Sequence, residues 1–152
     1  MHCCRSLVTT PKEARIIHTA REINDYKPHW VLEKVKVAIT DVLAKSPDKR
    51  MKDITVACLG LAFKPDIDDL RESPAVELTH MIAELGCQVI AVEPNITTLP
   101  PALAASSSVT LGTLTEALAA ADVPCLLVKH HEFKDNAEKI KSITSLIDVV
   151  GL

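Results

Sequence analysis

Aromatic residues are nearly absent from this 152-residue chain, which has two Phe, one Tyr and one Trp. So few rings argue against a surface that stacks single-stranded nucleic acid. Glycine is scarce as well, with four in all. A dinucleotide-binding fingerprint would place three glycines within six residues after a strand, and here Gly60 stands alone. Positive charge is not in excess: 17 Lys and Arg face 20 Asp and Glu, for a net charge of -3. That leaves no basic field for nucleic acid. No apolar run approaches the roughly 20 residues that span a bilayer. The N-terminus lacks the long apolar core of a signal peptide, so a cytoplasmic protein is expected.

Cysteine usage points the same way. Cys58, Cys87 and Cys125 each fall in apolar runs that read as strands, where a reduced cysteine behaves as a small hydrophobe. No Cys-x-x-Cys occurs, and the adjacent Cys3 and Cys4 make a poor zinc pair. Neither a metal site nor a disulfide framework is expected.

The patterning that is present divides the chain in two. Residues 1–46 read as a helical arm standing apart from the rest. Thr10, Pro11 and Glu13 form a helix start, and Ile16, Ile17, Ala20 and Ile23 give an apolar stripe at helical spacing. Pro28 should kink or restart that helix, which resumes through Val31, Val35, Ala38 and Val42. Ser46 to Arg50 is a polar breaker.

Residues 51–152 alternate strand and helix. The runs Ile54–Leu59, Val89–Val92, Val123–Val128 and Leu146–Val150 read as strands. Ser73-Pro74 should open a helix closed by Gly86, and Thr113 with Glu116 a second through a capping box. A weaker helix is expected over Asn136–Lys141, and Pro100–Ser108 reads as a surface loop. The expected fold is α/β, a Rossmann-like parallel sheet with helices on both faces, preceded by the helical arm.

Chemistry concentrates in Leu59–Pro74. Lys64 follows Leu61-Ala62-Phe63 at the carboxyl end of a strand, where open α/β sheets place ligands. A lysine there either offers a point charge to a phosphate or is simply solvated. Arg71 could grip a phosphate, but pairing with Asp68 or Asp69 is the simpler reading. Asp66, Asp68 and Asp69 suit turn formation. Glu93, at the end of the second strand, could hold a ribose hydroxyl, though beside Pro94-Asn95 it reads as turn chemistry. His130 and His131 follow the third strand and read as solvated loop residues.

The run Leu59-Gly60-Leu61-Ala62-Phe63-Lys64-Pro65-Asp66 through Pro74 resembles the nucleotide-sugar dehydrogenases, the UDP-glucose/GDP-mannose dehydrogenase family, in their C-terminal UDP-binding domain. The resemblance covers about Lys12 to Gly151. It implies that Phe63 and Lys64 contact a bound UDP-sugar. It also implies that Arg71 reaches NAD held by another domain. The stretch Ala14–Asp25 resembles the helix that joins the domains and packs a homodimer. Val92-Glu93-Pro94-Asn95 and Asp68–Pro74 are similar to the branch acting on UDP-N-acetylmannosamine. UDP-glucose and UDP-N-acetylglucosamine stay open, as does a non-catalytic binding or dimerisation module.

The implied reaction is a four-electron oxidation of a sugar C6 alcohol to an acid, with two NAD reduced and a cysteine thioester between the steps. In that family a glycine-rich NAD domain comes first and the catalytic cysteine sits in a glycine-rich loop. Here Met1–Ser6 keeps only a His-Cys echo, so no catalytic role is assigned to Cys3. Val150 stands where the family has a basic substrate contact. The chain therefore reads as truncated at both ends, a fragment expected to be inactive alone.

Overall fold

The computed structural model describes residues 11–152, with side chains from Ala14 onward. The expected cap at Thr10 and the question of Cys3 lie outside the described residues. A long helix α1 (Pro11–Lys45) leads through a 3-10 turn (Met51–Asp53) into strand β1 (Thr55–Leu59). Then follow α2 (Pro74–Glu84), β2 (Gln88–Val92), α3 (Pro101–Ala104), β3 (Val109–Leu111), α4 (Leu114–Ala120), β4 (Val123–Leu126), α5 (His131–Asp135), α6 (Ala137–Lys141) and β5 (Ile147–Asp148).

The five strands form one sheet in the order β3-β2-β1-β4-β5, and all pairs are parallel. Ala57, Cys58 and Leu59 lie beside Ile90, Ala91 and Val92 of β2 on one side and Pro124, Cys125 and Leu126 of β4 on the other. Strand order reverses between β1 and β4, and that switch point opens a crevice at their carboxyl ends. The loops 60–73 and 127–130 flank it.

Both faces of the sheet are covered. Val56, Cys58, Leu78, Ile82, Val89 and Cys125 build one core with α1 and α2. Ala57, Leu59, Leu126, Leu114, Phe133 and Ile140 build the other with α4, α5 and α6.

The arm does not stand apart along its whole length. Val31, Val35 and Ile39 of α1 are fully buried in the first core, each contributing about 1.5–3 kcal/mol. Their spacing of four makes one stripe, and that stripe docks the second half of α1 on the domain. Pro28 does not restart the helix: α1 runs through it, with Pro28 itself buried. Its missing N–H costs the helix a bond. Pro28 lines one cavity with Ala62, Phe63 and Ser73, and the helix keeps its course through it.

Elsewhere the expected boundaries hold to within a few residues. The capping box forms, with Glu116 N–H donating to Thr113 Oγ1 at 3.3 Å and Thr113 N–H donating to Glu116 Oε2 at 2.8 Å. Ser73 is the N-cap of α2, but its hydroxyl donates to Leu61 O at 2.6 Å instead of capping. That bond ties the helix start to the end of β1. Pro100–Ser108 is not all loop, since it contains α3. Strand β3 and helix α5 are additional elements, three and five residues long. Cys87 precedes β2 rather than lying in it, and its thiol donates to Ile82 O. Burial pushes the Cys58 thiol up to about 12, against a hydrogen bond from Thr79, and also raises Cys87 and Cys125. These thiols are packing groups. No helix among the described residues is long and apolar enough to cross a membrane.

Candidate functional site

The sequence of β1 empties into Gly60, whose φ of +92° turns the chain across the carboxyl end of the sheet. Gly60 N–H donates to Val92 O at 2.8 Å, which extends the β1–β2 ladder by one bond. The chain then rises over the crevice. Leu61 and Ala62 are buried, and Phe63, Lys64 and Pro65 are exposed. Phe63 N–H returns to Asp69 O at 2.9 Å, closing the excursion.

Two buried side chains hold this loop, and both read differently from sequence alone. Glu93 is only 4% exposed. Its Oε2 accepts from Leu61 N–H at 2.8 Å and Ala62 N–H at 3.0 Å, and lies 2.8 Å from His130 Nε2. Its Oε1 accepts from Asn95 N–H at 3.2 Å and Asn95 Nδ2 at 3.1 Å. The turn contact to Asn95 is thus present, but it is the smaller part of what Glu93 does. Burial pushes the Glu93 carboxyl up. The bonds from His130, Leu61 and Asn95 outweigh burial and leave it below its ordinary value.

His130 is 1% exposed, not a solvated loop residue. Its Nδ1 lies 2.9 Å from Asp66 N–H, a group that can only donate. Nδ1 must therefore be the acceptor, and the ring proton sits on Nε2, facing Glu93. Phe133 packs edge-on against the ring, with centroids 5.5 Å apart. His131 is exposed as expected, and its N–H donates to Asp66 Oδ1 at 2.7 Å. Asp66 itself has φ +60° and Glu72 φ +52°. Left-handed backbone at two non-glycine residues of one loop is the kind of strain that clusters at binding sites.

Residues expected to carry chemistry lie on the exposed part of this frame. Lys64 Nζ sits 5.9 Å from the Phe63 ring centroid, at the edge of cation–π range. Arg71 is bound in a fork to Asp69, Nε to Oδ1 and Nη2 to Oδ2, each at 3.0 Å. The ion-pair reading is the observed one, with Asp69 as the partner. That pair draws the Asp69 carboxyl down to about 2. Beside Phe63 a cavity of about 180 Å³ is lined by Pro28, Ala62, Ser73, Leu127 and Val128. It lies at the switch point and has room for about one planar ring. A wider, open groove of about 980 Å³ runs past Asp68–Ser73 to Pro100–Ala102.

Asp148 is a further organised carboxylate. It accepts N–H bonds from Val150 at 3.0 Å, Gly151 at 2.7 Å and Leu152 at 2.8 Å. Burial raises its carboxyl, and those three bonds more than offset this. Val150 packs on the second core.

A dinucleotide phosphate would need free backbone N–H groups after β1. Here the Leu61 and Ala62 amides are already taken by Glu93. The loop does not fit NAD as a cofactor of this domain.

Residues 57–150 match the UDP-glucose/GDP-mannose dehydrogenase family, UDP binding domain. Over 125 residues the chain is 53% identical to a UDP-N-acetyl-D-mannosamine dehydrogenase of Escherichia coli (strain K12), which covers 82% of this chain and 29% of that protein. A protein of the same name from Campylobacter jejuni is 49% identical over 124 residues, 81% of this chain and 28% of its own length. The chain thus spans under a third of these relatives. In fold it is similar to the UDP-N-acetyl-mannosamine dehydrogenase from S. aureus, with a TM-score of 0.61, 24% identity, and 90% of this chain and 28% of that one covered.

Proposed function

The chain belongs to the UDP-glucose/GDP-mannose dehydrogenase family, through its UDP-binding domain, and on that basis we propose that it is the UDP-sugar-binding part of an NAD-dependent UDP-N-acetylmannosamine 6-dehydrogenase. Such an enzyme would act in the cytoplasm in bacterial surface polysaccharide synthesis. One observation carries the reading: an exposed cation, Lys64, and an exposed ring, Phe63, at the switch point of a parallel sheet, beside a ring-sized cavity. In this reading the cavity takes the base, Phe63 closes over it, and Lys64 meets the diphosphate. Before NAD is met, Asp69 is paired with Arg71, and Asp66 accepts from the His131 N–H.

The domain's part in catalysis is binding remote from the reacting carbon. Energy gained on the UDP holds the sugar's C6 in place against the groups that oxidise it. NAD, when bound, supplies the hydride acceptor. Arg71 is the residue proposed to reach it, after leaving Asp69. The domain alone is proposed to be inactive.

Titrating the labelled chain with UDP tests the assignment. Resonances from Leu61 to Lys64 are expected to move, and Lys64→Ala is expected to weaken binding tenfold or more. A charge-assisted phosphate contact contributes about 1.5–3 kcal/mol, and 1.4 kcal/mol is a factor of ten. Arg71→Ala should cost much less. A larger loss from Arg71→Ala than from Lys64→Ala would reverse the roles.

A homodimer formed through α1 belongs to the same proposal. Ile16 and Ile23 are 73% and 66% exposed, and Ile17 and Tyr26 are also exposed. An apolar face of this kind on a helix marks an interface. Sedimentation is expected to show association that Ile16→Lys together with Ile23→Lys abolishes. A monomer at high concentration of the unaltered chain would refute it.

A further inference from the structure

We infer that Glu93 and His130 are positioning residues that hold the Phe63–Lys64 tip in its binding shape, and that protonating His130 releases it. The inference deepens the proposed UDP site and rests on it for the ligand alone. The loop has two anchors. Glu93 Oε2 holds the Leu61 and Ala62 amides on one side of the tip, and His130 Nδ1 holds the Asp66 amide on the other. Only Phe63, Lys64 and Pro65 lie between them. His130 Nε2 meets Glu93 Oε2 at 2.8 Å, so the two anchors are one connected buried unit.

The unit has a built-in proton dependence. With Nδ1 accepting from Asp66 N–H, the ring is neutral. A proton added to Nδ1 sets donor against donor and breaks that bond. The new N–H then finds the Asp66 carboxylate, whose Oδ1 lies 3.8 Å away. Asp66 would have to rotate to take it, carrying with it a backbone held at φ +60°. The described groups facing the ring are Glu93 from the end of β2, Asp66 from the loop, Asn95 at 3.4 Å and the edge of Phe133 from α5. The neighbouring Lys129 is engaged with Gly151 O. Two carboxylates thus lie against the ring, and no described cation does. Histidine is the side chain suited to switch between about pH 5 and 8.

The test has two arms, both on the whole chain. In the first, without ligand, the His130 ring nitrogens and the amides of Phe63, Lys64 and Asp66 are followed by NMR from pH 8 to pH 5.5. The amides are expected to move with the midpoint of the ring. Amides that ignore the ring, or a ring that does not titrate in that range, would overturn the inference. This arm needs no variant. In the second, UDP affinity is compared at the two pH values in the unaltered chain and in His130→Gln, which keeps a donor toward Glu93 and cannot titrate. Acidification should weaken binding at least fivefold more in the unaltered chain; the titration of UDP itself cancels in the comparison. Equal pH dependence in both proteins would overturn the inference, because a merely structural histidine would shift affinity at every pH alike. If UDP binds neither protein while the amides still follow the ring, the ligand assignment fails and the positioning role stands.

Discussion

Glu93→Ala is expected to destabilise the fold by about 4 kcal/mol in urea denaturation at neutral pH. The carboxylate is buried, and its removal strands the Leu61 amide, the Ala62 amide and the His130 Nε2–H together. Each buried donor left without an acceptor costs about 1–3 kcal/mol. Losses at such connected groups do not simply add, so the expected total is below the sum of the three. Glu93→Gln should cost roughly half as much, about 2 kcal/mol. Its carbonyl can still accept from the two amides, while its NH₂ would face the Asn95 donors. A loss below 1 kcal/mol for the alanine variant would mean that the loop finds another acceptor, and that Glu93 is no anchor.

The same residue gives the pair a signature in acid. The Glu93 carboxyl lies below its ordinary 4.5 in the folded protein, so near that pH the unfolded chain binds more protons than the native one. Its stabilising contribution is therefore complete above about pH 4.5 and is lost as pH falls through the lower, folded value. Asp69, Glu116 and Asp148 are lowered as well, but they are common to the parent and to Glu93→Gln. The difference in stability between those two proteins should accordingly shrink as pH drops below 4.5.

Why Glu93 and His130 escaped a reading of the sequence is a matter of physics. They are 37 residues apart, on loops following different strands, and only the closing of the parallel sheet brings them together. A glutamate before Pro-Asn and a histidine beside a second histidine look like surface residues because nothing local shows their burial. One signal was available: both residues follow apolar strand runs, and a parallel sheet gathers the carboxyl ends of its strands on one edge, together with the loop after Gly60. Lys64 and Arg71 were legible for the opposite reason. They sit within one short run whose strand, turn and helix start are encoded locally, and Arg71 found its partner two residues away. The sheet was legible because buried parallel strands read as continuous apolar runs. Val109–Leu111 and His131–Asp135 are too short to show a period, and they fold because the strands and helices beside them leave that place for them. Pro28 misled because local propensity says break, while the stripe Val31, Val35 and Ile39 downstream holds the helix on the domain.

Gly60→Ala is expected to lose about 3 kcal/mol and to impair UDP binding in whatever protein still folds. Two penalties combine. At φ +92° a side chain is strained, by about 1–2 kcal/mol for an L-residue in left-handed backbone. An added methyl would also lie 2.6 Å from Val128 Cβ and 2.9 Å from both Val128 N and Val128 O. Two of those atoms are backbone of the chain leaving β4, so no rotamer change relieves the clash, and overpacking of this kind costs about 1–3 kcal/mol. Relief requires β1 and β4 to part at their carboxyl ends. That movement would widen the cavity bounded by Ala62, Leu127 and Val128 and displace Phe63 and Lys64 from the switch point. Gly112→Ala is the useful comparison. Its added methyl would meet Ile90 Cγ2 at 2.8 Å, a side-chain methyl rather than backbone, and Glu116 Oε2 at 3.5 Å. Ile90 must shift slightly or leave its rotamer, at a cost of about 1 kcal/mol, and UDP affinity should not change. Chemical denaturation and UDP titration of the two variants side by side decide the matter: equal losses would show that close approach at Gly60 does not set the shape of the site.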